Sequence, residues 1–247
     1  MITDGFAPLT ITLLLVLTIL VPVLGVWDYR KLLRKIREGR SDARLNSFLW
    51  TIAVQWILTL GFLAWWLRAD GELASLRLVP AVAGWQWLAI GAGLAGVAFL
   101  VLQMTSVLRS PEKLAQVREQ TGALSGIAPQ SAAERRVFAL MAITAGICEE
   151  ILFRGLLLAV LVALTGTWPA VILSSAIFGL GHAYQGWKGV GKTGAAGLLL
   201  ALLAVGSGSL FVPILVHAVG DLTSGRLLEA ASRGRGEIQE YSPQSVR

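Results

Sequence analysis

Residues 137–164 read VFALMAITAGICEEILFRGLLLAVLVAL, an apolar run interrupted at its centre by Glu149, Glu150 and Arg154. A helix needs about 20 predominantly apolar residues to cross a hydrocarbon core. The run is long enough, and ionisable groups inside a span are costly and mark function by default. One stretch thus gives both a fold class, helical membrane protein, and a candidate site.

Outward from this run, further apolar stretches extend from Leu9 to Val26, Phe48 to Leu67, Trp85 to Leu108, Pro169 to Tyr184, Thr193 to Val205 and Leu210 to Ser224. The expectation is an all-α integral membrane protein, a bundle of about seven transmembrane helices around an intramembrane polar cavity. The run from Thr193 is the weakest, since 13 residues rise only about 20 Å. It needs its glycine-rich flanks to span, or is re-entrant. Composition agrees: 55% of the 247 residues are hydrophobic and 15% charged, against about 25% charged in soluble domains.

The charges order the loops. Arg30, Lys31, Arg34, Lys35, Arg37, Arg40 and Arg44 lie between the first two runs, and Arg109, Lys113, Arg118, Arg135 and Arg136 between the third and fourth. Lys188 and Lys192 follow the fifth, and Arg226, Arg233, Arg235 and Arg247 follow the seventh. Only Arg68 and Arg77 fall on the other side. By the positive-inside rule the N-terminus is outside and the C-terminus cytoplasmic, in the plasma (inner) membrane. The net charge of +6 is therefore a topology signal, and nucleic acid is not an expected partner. The bilayer and a peptide or protein substrate are. Trp27, Trp65, Trp66, Trp85, Trp87 and Trp168 fall near run ends, as an aromatic belt requires.

Leu9 to Trp27 reads as a retained span, because it is long and a strongly basic segment follows it. Ser110 as N-cap, Pro111 at the first turn and Glu112 after it open an expected helix, and Leu114, Val117 and Leu124 suit an interfacial amphipathic segment, a solvated connector being the alternative. The expected organisation is 1–125 for N-terminal spans and basic loops, 126–230 for the site-bearing core, and 231–247 for a flexible cytoplasmic tail.

Helical geometry gives the three central charges different surroundings. Glu150 and Arg154 stand at i and i+4, the favourable order for an intrahelical ion pair. Glu149 points about 100° away and is free for another partner. The two histidines of the chain also fall inside apolar runs, as Phe178-Gly-Leu-Gly-His182 and His217-Ala-Val-Gly-Asp221. A carboxylate that deprotonates water, with imidazoles beside a developing oxyanion, is a hydrolytic arrangement. The same set, His182, His217, Glu149 and Asp221, has the donor chemistry of a zinc site, although His-Glu-x-x-His is absent. Cys148, the only cysteine, permits no internal disulfide, and its apolar, acid-flanked position opposes a thiolate nucleophile. Ser174, Ser175, Ser207 and Ser209 lack the strand-borne elbow of a serine hydrolase and read as helix-packing residues.

At Glu149, Glu150 and Arg154, at Phe178 and His182, and at His217 and Asp221, the chain resembles the CPBP family of intramembrane peptidases, also called the CAAX protease and bacteriocin-processing or Abi family. Its motifs are Glu-Glu-x-x-x-Arg, Phe-x-x-x-His and His-x-x-x-Asn/Asp, here in that order on three apolar runs. The resemblance covers about residues 126 to 225. It implies an all-helical fold with a conical cavity open to cytoplasm and membrane, and no required cofactor, zinc being the alternative. It also implies that Glu149 activates water, His182 assists it, and His217 with residue 221 stabilises the oxyanion. The third motif commonly ends in Asn, and an ionised Asp221 cannot donate a hydrogen bond as an amide does. Asp221 is then protonated, an orienter of His217, or a metal ligand. The rival classes are a non-proteolytic immunity factor or scaffold, and a transporter, for which no inverted repeat is visible.

Overall fold

The structure is a computed structural model that describes residues 6–78 and 84–240. Among them are eight helices and no strand. Helix α1 covers residues 6–37, with a π-helical stretch Val16–Leu20 between Phe6–Leu15 and Val21–Arg37. Then come α2 (Ala43–Arg68), α3 (Gln86–Leu108) and the short α4 (Pro111–Gln120). Helix α5 covers residues 132–165, built of Ala132–Glu150, a π-helical segment Ile151–Leu157, and Leu158–Thr165. The chain ends in α6 (Thr167–Gly181), α7 (Gly186–Ser207) and α8 (Phe211–Glu240).

Among the described residues five helices are long and apolar enough to cross a membrane: α1, α2, α3, α7 and α8. Helix α5 has the length but carries three charges at its centre, and α6 is apolar but has only 15 residues. These seven coincide with the seven runs read from the sequence, as an all-α membrane protein requires. Residues such as Ile57, Leu88, Leu102, Ile172 and Leu199 are each more than 60% exposed. In water such a surface would be a liability; against lipid it is the ordinary outer face.

Local chemistry sets the helix ends. Ser110 Oγ accepts the Lys113 N–H, capping α4 as expected. Ser131 Oγ accepts the Glu134 N–H, and Glu134 reaches back to the Gln130 N–H at 2.6 Å, a variant of the capping box. Gly166, at φ +84°, turns α5 into α6 in a conformation that costs other residues strain.

Three details complete or correct the sequence reading. Helix α7 begins at Gly186, so its glycine-rich flank is helical and supplies the missing length. Arg30 to Arg37 form the last turns of α1 rather than a loop, since Arg and Lys are good helix formers. Helix α8 runs on to Glu240, past Ala231 where a flexible tail was expected; nothing before Pro243 obliges the helix to stop. The rest of that tail, residues 241–247, lies outside the described residues.

The core wraps the second half of α5. Leu156, Leu157 and Leu158 are wholly buried against Leu9, Leu13 and Leu17 of α1, Phe62 and Trp66 of α2, and Ala201 and Ala204 of α7. Helices α5 and α8 meet closely at Gly146, where a Cβ would stand 2.9 Å from Ala218 Cβ and 3.1 Å from the Ile214 carbonyl oxygen. That approach brings α8 against the turn that carries the two glutamates.

Candidate active site

Glu150 and Arg154 are both wholly buried, and Arg154 Nη1 donates to Glu150 Oε1 at 2.7 Å. The spacing holds even though the pair straddles the start of the π-helical segment, a form of helix found frequently at functional sites. Arg154 Nη2 donates to the Gly197 carbonyl of α7 at 3.0 Å, and the guanidinium lies 4.1 Å over the Phe178 ring. Gly197 is required there, because a Cβ would come within 2.9 Å of that ring and 3.2 Å of Nη2. His217 Nδ1 lies 2.8 Å from the same Glu150 oxygen. An ionised carboxylate only accepts, so Nδ1 carries the proton and Nε2 faces away from Glu150.

Glu149 is placed differently. Its Oε1 accepts from Gln55 Nε2 of α2 at 2.8 Å. Its Oε2 is buried without a hydrogen-bond partner, 3.9 Å from His182 Nε2 and 3.9 Å from His217 Nε2. His182 follows the last residue of α6, and its Nδ1 lies 2.9 Å from the Phe178 carbonyl. A carbonyl also only accepts, so Nδ1 of His182 carries a proton and its Nε2 is the nitrogen that faces Glu149. Separations of this size between polar atoms are those a bridging water fills.

The structure thus gathers Glu149, Glu150, Arg154, His182 and His217 from α5, α6 and α8. Asp221 stands at the rim, its side chain 43% exposed and its Oδ2 3.7 Å from His217 Nε2. Phe178 walls the site, with ring centres 4.9 Å from His182 and 5.8 Å from His217. Cys148 is buried as a free thiol. Ser174 and Ser175 donate to the Val171 carbonyl of their own helix and Ser207 to that of Leu203, as packing residues do.

Residues 132–223 match a family model described as type II CAAX prenyl endopeptidase Rce1-like. This segment is similar to that family. The Rce1-like segment carries all three motifs, in agreement with the CPBP resemblance, and the match supports an intramembrane endopeptidase at the family level. No curated protein and no solved structure matches the chain.

Two features of the Rce1-like site escaped the sequence reading. Gln55 lies far from the motifs, yet its signal was present: it is the one side-chain amide between Phe48 and Leu67. The bond from His217 to Glu150 had no signal, since it depends on how closely α5 and α8 pack. As for a metal, no group of three or more His, Cys, Asp or Glu among the described residues is placed to hold one.

Proposed function

We propose that the chain is an intramembrane endopeptidase in which Glu149 activates water against a peptide bond of a membrane-associated or CAAX-like substrate. The observation that carries this reading is Glu149 Oε2, a buried carboxylate oxygen with no protein donor, flanked by two imidazole nitrogens at 3.9 Å. Water is the group that suits it: one hydrogen goes to Oε2 and the other to an Nε2, leaving an oxygen lone pair for attack.

In the proposed sequence Glu149 takes the proton as the water oxygen bonds to the scissile carbonyl carbon. His182, with Nδ1 fixed on Phe178, presents Nε2 as an acceptor for the same water. His217 serves the oxyanion in its imidazolium form, Nδ1–H on Glu150 and Nε2–H toward the reacting carbonyl. The proton held by Glu149 then passes to the leaving amine as the carbon–nitrogen bond breaks, so each group ends as it began. Glu150, locked by Arg154, orients His217 and takes no proton. No step of this sequence is routed through a metal.

We place the protein in the plasma (inner) membrane with the N-terminus outside and the C-terminus in the cytoplasm, on the charge asymmetry of its loops. Reporter fusions at Gly39 and Arg247 should both give cytoplasmic signals. An external signal at either position overturns this orientation.

The function is tested with detergent-purified protein and membrane-anchored peptides ending in CAAX-like sequences, prenylated and not, with Glu149→Ala alongside. Cleavage by the wild type and none by the variant is the expected result. Intact peptides from both proteins would instead favour a scaffold or immunity role that keeps the polar cluster for structure.

A further inference from the structure

A glutamine at the middle of a membrane span needs a reason. Gln55 lies 12 residues after the start of α2 and 13 before its end, and the polar side chains nearest it on that helix are the hydroxyls of Thr51 and Thr59, each bonded to a backbone carbonyl. Its Nε2 is used, donating to Glu149 Oε1 at 2.8 Å. Its Oε1 is buried with no partner, as are Glu149 Oε2 and Glu150 Oε2. As a device for holding helices together Gln55 is poor, because an unsatisfied buried acceptor costs about as much as a hydrogen bond to a charged group returns. A leucine of similar size would pack into α2 without that cost.

We propose that Gln55 is a positioning residue for hydrolysis: it binds one oxygen of Glu149 so that the other, Oε2, alone remains to take a proton from water. This rests on the reading of Glu149 as the general base. A carboxylate is symmetric, and free rotation would present either oxygen to the histidines. The amide removes that symmetry. Its orientation is set by the carboxylate, since turning it over would oppose two acceptors. Register between the helices is held one turn further along, where Thr59 Oγ1 donates to the Cys148 carbonyl at 3.5 Å. Helix α2 lies outside the segment that matches the family model, so the base on α5 is steered from outside that segment.

A donor to the charged form of a carboxylate favours that form, so removing it must show in when Glu149 ionises. The experiment follows the pH dependence of Glu149 modification by a hydrophobic carbodiimide, which attacks protonated carboxyl groups. Full-length protein in detergent is used, with tandem mass spectrometry to separate Glu149 from Glu150. In Gln55→Leu the labelling midpoint should rise by about one unit, and in the isosteric Gln55→Glu it should rise further. On a cleaved peptide, Gln55→Leu should lower kcat about 10- to 100-fold with KM unchanged within about twofold. The acid limb of its pH–rate profile should move upward with the labelling midpoint. A wild-type midpoint in folded Gln55→Leu, or a wild-type kcat, overturns the proposal. If Gln55→Leu does not fold, Gln55→Glu, which keeps the shape, decides on the same readouts. A wild type that cleaves nothing overturns the peptidase reading instead, while the labelling midpoint still reports on Gln55.

Discussion

The two sides of α5 at residues 149 and 150 are built on opposite plans. On the more closed, Glu150 side Arg154, His217 and the Gly197 carbonyl form a chain of bonds of 2.7 to 3.0 Å through one carboxylate oxygen, among wholly or nearly buried groups, while Glu150 Oε2 is buried without a partner and faces no imidazole nitrogen within ion-pair distance. On the Glu149 side one oxygen is tied to Gln55 and the other faces two nitrogens too far for a direct bond. Adjacent residues on a helix diverge by about 100°, so one turn of α5 meets α7 and α8 on one side and α2 on the other. A charge that holds a structure needs its partners in place. A charge that must accept a proton needs one place left open.

The largest effect expected from breaking this contrast is chemical. Glu149→Gln keeps size and shape but removes the base, so turnover should fall by about 10² to 10⁴ while the protein inserts and purifies normally. Cleavage at the wild-type rate would end the assignment of Glu149 as base. On the closed side, Glu150→Gln should leave Arg154 buried without its counter-charge and lower stability by about 3 to 5 kcal/mol, read as thermal unfolding in detergent. Adding Arg154→Met should recover part of that loss, since it removes the stranded charge. A fully stable but inactive Glu150→Gln would show that both glutamates serve the chemistry. A smaller effect is expected from Gly197→Ala, which pushes a methyl against Phe178 and Arg154 and should cost about 1 to 3 kcal/mol with kcat per folded molecule retained. The smallest is none: exhaustive chelation should leave turnover unchanged, and elemental analysis of active protein should find no stoichiometric metal. Loss of activity restored by zinc would refute the metal-free route.

The closed side was the more legible in sequence. An acid and a base four residues apart in an apolar run can pair within one helix, and that pair needs no knowledge of the rest of the fold. The seven helices were legible for the same reason, since length and hydropathy are local properties. His182 and His217 could be singled out because imidazoles in apolar runs are hard to explain otherwise. The open side was less legible because it is made between helices. Gln55, being neutral, costs less to bury than a charge and so stood out less, and nothing in the spacing of α2 ties it to Glu149. The contact of His217 with Glu150 depends on Gly146 letting Ala218 approach. The π-helical segment left no trace either, because the Glu150–Arg154 spacing suits an α-turn equally well.

Helix α6 is short, and its shortness bears on supply rather than on chemistry. Fifteen residues rise about 22 Å, against a hydrocarbon core of about 30 Å. The chain then turns through Ala183–Gln185 into α7, with His182 at the bend. A span shorter than the hydrocarbon core draws the bilayer thinner around it, which brings headgroups and their water nearer the midplane there. Water, which the proposed hydrolysis consumes, then has about 8 Å less oil to cross beside α6.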